Sequence, residues 1–432
     1  MKRTFSDDLR DAIGRDVAAI DADHTAAYPG ESPDRQPVHT VYGGAQLFRS
    51  GTAQRLGSMA LAALDDHGPD PDTFADAIDL AADADLRATL YSRVRAKLER
   101  EAVEDFRIDF EDGYGNRPDD EEDATAVSAA AAAIEGMKND ALPPFIGIRI
   151  KALAGEAQRR AVRTLDLFVT QLAKAGEGSL PDNFVVTLPK VTSPTQVKML
   201  VDLLAQLESA NGLAAGSLKL EIMVETPQSI LAPDGSSALY GLVDAADGRC
   251  VAAHFGVYDY TASCGITAQF QSLDHPACDF ARHHMQVALA GTGVWLSDGA
   301  TNVIPVGSTD SFHDAWKLHY QHCRHSLRHG FYQGWDLNPA QLPTRYAAVY
   351  AFFLESLAAA SERLHNFVSV AAQATLVGDV FDDAATGQGL LNFFLRGVNC
   401  GAITEEEATA TGLTIDEFRS RSFAKIVANR RG

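Results

Sequence analysis

Short apolar runs recur along the chain, separated by stretches with a helical period. The runs are Val38–Tyr42, Phe106–Phe110, Phe145–Ile148, Phe184–Leu188, Leu218–Val224, Val251–Phe255, Val294–Leu296 and Gly330–Gly334. Short runs enriched in β-branched and aromatic residues read as buried strands. Between and around them, helical patterning covers 52–65, 84–103, 120–138, 155–175, 193–210, 236–247, 275–290 and 309–328. Strands alternating with helices predict a parallel α/β sheet. Eight strands with crossovers predict a (β/α)8 TIM barrel. A doubly wound open sheet is the structural rival, but no GxGxxG follows the first strand to support it.

The ends of the chain read differently. Residues 1–36 form an acidic helical lead that closes in a turn-rich stretch, and residues 37–343 carry the barrel. The interval of about 50–104 is an insertion relative to a minimal barrel. From 344 to 432 the pattern is all helical, with helices expected at 344–366, 367–378, 384–399 and 415–428, interrupted by a hinge at 378–383. Such an extension caps its own barrel or packs on a neighbouring subunit.

Six of the eight runs lead into charge: Glu111-Asp112, Arg149, Lys190, Glu225, Asp259 and Asp298 follow them in order. Charged groups gathered at the same end of successive strands point to a site, and in (β/α)8 enzymes the C-terminal strand ends carry the chemistry. Glu225 and Asp259, on neighbouring strands, make a hard, oxygen-rich pair suited to Mg²⁺ or Mn²⁺; the plain alternative is a turn cap and a polar loop. Arg149 ends a buried run, where its planar fork suits a substrate carboxylate or enolate oxygen, or an ion pair with Glu111 or Asp112. Asp109, Glu111 and Asp112 repel one another unless a cation or Arg149 compensates. They are read as supporting the metal through waters or Arg149. Lys190 is read as neutralising nearby acids, with a Schiff-base role as the lesser option. His319, His322, Cys323, His325 and His329 crowd one helix at spacings that suit zinc or iron. They sit on an outer helix near its C-terminus, where histidines complement the dipole, and the structural reading is preferred.

Net charge narrows the partners. With 37 basic and 58 acidic residues the formal charge is −21, which disfavours nucleic acid and anionic membranes. No apolar stretch reaches the roughly 18–20 residues of a membrane span. The first residues lack the apolar core of a secretory signal. Five cysteines without a CxxC pair read as reduced thiols, and the expectation is a cytoplasmic protein.

The ordered pieces resemble the HpcH/HpaI aldolase/citrate lyase family. Asp109-Phe-Glu-Asp112 looks like its acidic strand end, Gly147-Ile-Arg149 like its strand ending in arginine, and Leu188-Pro-Lys-Val191 like its Leu-Pro-Lys-Val. Glu225-Thr226 and Phe255-Gly-Val-Tyr-Asp259 look like its two metal-binding elements, and Gly334-Trp-Asp-Leu-Asn-Pro-Ala-Gln341 like its late Gly-x-x-x-(His/Asn)-Pro-x-Gln element. The resemblance spans about 105–400. It implies a (β/α)8 barrel that cleaves or forms carbon–carbon bonds in a 2-hydroxy or 2-oxo acid, through an enolate stabilised by Mg²⁺ or Mn²⁺. Glu225 and Asp259 would hold the metal, Arg149 and Gly256 would meet the carboxylate substrate, and a homo-oligomer (trimer or hexamer) is implied. An aspartate from a neighbouring subunit's C-terminal segment serves the family, and Asp382 is the nearest match. A malate-synthase-like or phosphoenolpyruvate-handling enzyme, and a non-catalytic dicarboxylate-binding barrel, remain as alternatives. The long insertion after the first strand, the lengthened interval from Glu225 to Asp259 and Asn338 in place of histidine depart from the family. No coenzyme A site is legible, so a thioester substrate is not carried over.

Overall fold

In the computed structural model, residues 4–32, 34–369, 375–377, 380–382, 384–422 and 425–426 are described. Eight parallel strands close a barrel: β1 (His39–Gly44), β2 (Asp105–Asp109), β3 (Phe145–Arg149), β4 (Phe184–Leu188), β5 (Lys219–Val224), β6 (Cys250–Phe255), β7 (Trp295–Ala300) and β8 (Gln333–Asp336). β1 pairs with both β2 and β8, so the sheet has no free edge. The fold is the (β/α)8 barrel that the alternation predicts.

Side-chain alternation sorts the strands into two faces. One set, including Ile108, Ile148, Val186, Ile222 and Phe255, is fully buried under the outer helices. The other set fills the barrel, and beside Val185 and Met223 it carries a buried polar group. Arg107 of β2 donates from Nε and Nη2 to the two oxygens of Glu221 on β5, each at 2.7 Å. β2 and β5 are not neighbours, so this pair spans the interior. Thr187 and His254 complete the set around Glu221, with His254 Nε2 at 3.0 Å. Against burial that would raise it, the Arg107 charge holds the Glu221 carboxyl well below the usual carboxylate range. Breaking one partner of such a buried pair costs about 3–5 kcal/mol, because the other is left uncompensated.

The insertion between β1 and β2 is three helices, Thr52–His67, Pro71–Ala77 and Ala84–Glu101. Asp70 starts the second by accepting from the Asp72 and Thr73 amides, with Pro71 at the first helical position; Asp83 caps the third. They pack on the outer wall, where the Phe74 ring meets Trp316 edge-on at 5.4 Å and the Tyr346 hydroxyl donates to the Ala102 carbonyl at 3.0 Å.

Several boundaries differ from the sequence expectation. The last strand lies at 333–336 rather than 330–334, because Gly330 takes a left-handed turn and Phe331 packs in the core. The helices expected at 344–366 and 367–378 are one helix, Leu342–Ser369, followed by a hairpin, Thr375–Val377 with Val380–Asp382. The expected 236–247 helix is a short one, Leu239–Asp244, and of the 415–428 helix Ile415–Arg419 is seen. The lead helix, Asp7–Ala27, has no buried residue.

The tail folds back on its own chain. Tyr350 donates to the Cys400 carbonyl at 3.1 Å, Phe353 and Phe393 rings lie 5.1 Å apart, and Arg396 sits 4.1 Å over the Tyr332 ring. Arg396 also reaches Gln36 and Glu31. Gln36 precedes β1 and Tyr332 precedes β8, so the Ala384–Cys400 helix holds the N-terminal end of the barrel.

Candidate active site

Glu225 follows β5 directly, and its side chain is 2% exposed. Its Oε1 accepts the Lys190 backbone N–H at 2.6 Å. Lys190 takes a left-handed backbone (φ 52°), uncommon for a residue with a Cβ, at the turn that presents this amide. Behind Glu225 lies Gly256, whose amide donates to the Val224 carbonyl at 3.0 Å. A Cβ on Gly256 would stand 2.5 Å from the Glu225 Cβ and 2.7 Å from Oε2, so only glycine fits beside this carboxylate. Burial, and then the charge of Asp259, pushes the Glu225 carboxyl up to about 8 against the pull of Lys190 and Arg149.

Asp259 lies in the first turn of the short Val257–Ser263 helix after β6 and is 43% exposed. The Lys190 ammonium stands among the acids: it pairs with Glu111, lies 3.4 Å from Asp259 Oδ2 and 3.5 Å from Asp112 Oδ2. Burial would lower its pKa, but Glu225, Glu111 and Asp112 together raise it, so the amine is held protonated. That direction disfavours a Schiff-base nucleophile, which needs a free amine.

Arg149, at the end of β3, is 2% exposed. It grips Asp109 with two parallel bonds, Nε to Oδ1 at 2.7 Å and Nη2 to Oδ2 at 2.5 Å, and reaches Glu111 Oε2 from Nη1 at 3.2 Å. Asp109 also accepts the Glu111 and Gly113 amides, which fixes the loop after β2. The guanidinium lies 4.9 Å from the Tyr42 ring centroid and 5.3 Å from that of Trp335, so two aromatic faces from β1 and β8 set its plane. The Trp335 indole N–H is buried without a hydrogen-bond partner. The sequence pattern alone does not mark Tyr42 and Trp335. Tyr42 ends the first predicted strand and Trp335 sits within the Gly334–Gln341 element, and those positions are the signal the sequence carries.

The structure therefore brings Arg149, Asp109, Glu111, Asp112, Lys190, Glu225, Gly256 and Asp259 to one mouth. Glu111, not Asp112, is the ion-pair partner of Arg149, because Asp112 turns to Lys190 and is 64% exposed. Asp298 does not join them. It lies inside β7 with its side chain outward, accepting from Arg282 Nε at 3.1 Å and from Ser326 at 2.6 Å. Asn338 and Gln341 serve the backbone: Asn338 accepts the Ala340 amide, and Gln341 donates to the Thr301 carbonyl. The Asp382 backbone is in the hairpin, and its side chain lies outside the described residues. The five cysteines are unpaired.

A cavity of about 900 Å³ opens at the opposite end of the barrel, lined by Asp105, Arg107, Lys219, Glu221 and Cys250. Its Arg107 and Glu221 already satisfy each other, whereas the mouth gathers carboxylates around one lysine, and strand-end chemistry outweighs volume here.

Fold and mouth together define a (β/α)8 barrel with a carboxylate-rich C-terminal rim. The chain belongs to the family described as a domain of unknown function, DUF6986, whose model matches residues 17–426. No curated protein matches the sequence. Among solved structures, a citrate lyase from Burkholderia xenovorans LB400 is similar at 17% identity, covering 88% of this chain and 97% of that one, with a TM-score of 0.59. CitE from Mycobacterium tuberculosis, solved with magnesium, acetoacetate and coenzyme A, matches at 16% identity over 86% of this chain and 100% of that one, with a TM-score of 0.49. A Haloferax volcanii malate synthase matches at 14% identity over 92% and 98%, with a TM-score of 0.47. The resemblance carried by the motifs is thus matched in fold by the citrate lyase. No helix among the described residues is long and apolar enough to cross a membrane.

Proposed function

We propose that the chain is a divalent-metal-dependent carbon–carbon lyase of the aldolase kind, acting on a 2-hydroxy or 2-oxo acid. The observation that carries this reading is the Glu225–Asp259 pair at the mouth beside Arg149. The donor set fits a hard cation. Both groups are carboxylates, Glu225 is buried with Oε1 engaged and its carboxyl driven upward, and a lysine ammonium already stands among the acids. Bound there, Mg²⁺ or Mn²⁺ supplies Lewis acidity and a template for a carboxylate and its neighbouring oxygen.

The chain's own residues do the rest. Arg149 keeps one N–H on each terminal nitrogen beyond its bonds to Asp109 and Glu111, and these stabilise an oxyanion developing in the mouth. Tyr42 and Trp335 hold the guanidinium plane, and Lys190 offsets the negative charge of the rim. Gly256 leaves the Glu225 carboxylate room; its amide is already given to the Val224 carbonyl, so a substrate would meet its bare Cα rather than its N–H. Proton transfer falls to Asp382. Because the Ala384–Cys400 helix grips the N-terminal end of its own barrel, Asp382 would serve a neighbouring mouth in a homo-oligomer.

Candidate 2-hydroxy acids, thioesters and aldehydes are to be incubated with the protein and assayed for pyruvate, acetyl-CoA and glyoxylate. Release of pyruvate or glyoxylate that EDTA abolishes and Mg²⁺ restores supports the lyase. Full activity after chelation, with borohydride trapping substrate on Lys190, overturns it. Condensation of an acyl thioester with glyoxylate would assign the site to a malate-synthase-like reaction.

A further inference from the structure

On the outer wall, away from the mouth, two helices bring imidazoles and a carboxylate together. Asp279 and His283 are one turn apart on Pro276–Leu289. His325 and His329 are one turn apart at the end of Thr309–Arg328, His329 being its C-cap. Ligand atoms of Asp279, His325 and His329 all lie within 4.8 Å of one another. His325 Nε2 is 2.8 Å from Asp279 Oδ1, the His325 and His329 rings are 4.2 Å apart, and the exposed His283 ring is 5.4 Å from His329.

We propose that Asp279, His283, His325 and His329 form a second metal site, for zinc or a related late transition ion. Three imidazoles and one carboxylate suit such ions, whereas Mg²⁺ takes oxygen ligands. Each i, i+4 pair puts its two side chains on one face of its helix, and Asp279 and His325 already meet across the gap. His329 Nδ1 donates to the His325 carbonyl at 2.9 Å, which fixes the tautomer and leaves Nε2 as the free lone pair. Tetrahedral bonds of about 2.0–2.1 Å place ligand atoms roughly 3.3 Å apart, so side-chain torsions have at most about 1.5 Å to close among Asp279, His325 and His329, and the exposed His283 swings in from farther out. Arg282 lies beside the site, with Nη1 3.4 Å from Asp279, and its charge is met by Asp298 at 3.1 Å. The remaining members of the histidine-rich helix are engaged elsewhere: His319 bonds Thr344 and Asp336, and His322 bonds Thr301. Dipole complementation at the helix end does not account for Asp279, which arrives from another helix. Bound metal would staple the helix before β7 to the helix before β8.

Co²⁺ is the probe, because its visible bands are intense at four-coordinate nitrogen-rich sites and weak at six-coordinate oxygen sites. In the Glu225→Gln background, which disables the mouth, one equivalent of Co²⁺ should give the intense spectrum, and Zn²⁺ should displace it. His325→Gln and His329→Gln should each weaken binding more than about 10-fold, and His283→Gln should shift the bands. In otherwise wild-type protein the two former changes should leave Mg²⁺ binding at the mouth intact. X-ray absorption of zinc-loaded Glu225→Gln protein, which needs no further variant to fold, should report a nitrogen-dominated shell. An oxygen-only shell, absence of the intense spectrum, or Co²⁺ binding unchanged in His325→Gln and His329→Gln overturns the site.

Discussion

Gly256→Ala isolates the contact that shapes the carboxylate at the mouth. Gly256 has φ −103°, which any residue adopts, so the added methyl brings no backbone strain. It would stand 2.5 Å from the Glu225 Cβ, where carbon atoms ordinarily rest about 3.5–4.0 Å apart. Roughly 1 Å must open, yet Gly256 is tied to Val224 at 3.0 Å and Glu225 Oε1 to Lys190 at 2.6 Å. Overpacking of this kind costs about 1–3 kcal/mol, and lower entropy of the unfolded chain returns about 0.4–1 kcal/mol of it. If the displacement falls on the carboxylate, Mn²⁺ binding weakens by roughly 5- to 150-fold, at 1.4 kcal/mol per tenfold. Free Mn²⁺ followed by electron paramagnetic resonance measures the affinity, and circular dichroism melts show whether the fold persists. A folded Gly256→Ala protein that binds Mn²⁺ within about twofold of the parent would show that Gly256 does not shape the site, since a displacement of about 1 Å cannot leave a ligand in place.

Arg149→Lys keeps the charge but loses the fork on Asp109, and should lower kcat/KM by about 10²-fold or more in a folded protein; near-normal turnover would remove Arg149 from the reaction. The neutral form of Glu225 is favoured in the metal-free fold, so its contribution to stability is present below the ordinary carboxylate range and is lost as pH rises through about 8. Glu225→Gln should flatten that decline in melts run from about pH 6 to 9, and an equally steep decline in the variant would reject this origin. Mixing inactive Asp259→Ala subunits with inactive Asp382→Ala subunits should restore part of the activity if sites are shared between chains; no recovery despite proven exchange would place Asp382 elsewhere.

The barrel was legible because each strand is a compact apolar run and each crossover carries a helical period. Most of the mouth was legible because buried strands rarely end in charge without a reason. Asp298 shows the limit of that rule: period two places an acid on either face, and only the packed Arg282 decides that it turns outward. Tyr42 and Trp335 are not legible in the sequence because an aromatic residue in a strand ordinarily reads as core; their role comes from the Arg149 guanidinium lying against both rings in space. The pairing of Asp279 with His325 joins residues 46 positions apart, and no helical spacing reports such a contact. The hairpin after Ser369 reads as helix and hinge in the sequence, since Thr375–Val377 is too short to stand out from its surroundings.

All the chemistry proposed for the mouth turns on a metal held by Glu225 and Asp259. Anomalous diffraction from crystals soaked with Mn²⁺ and pyruvate or oxalate would locate that ion. The expected map has one Mn²⁺ peak bonded to both carboxylates, with the ligand's carboxylate and adjacent oxygen on the ion and Arg149 beside it. A ligand bound at the mouth with no metal on Glu225 or Asp259, or joined covalently to Lys190, would contradict the account.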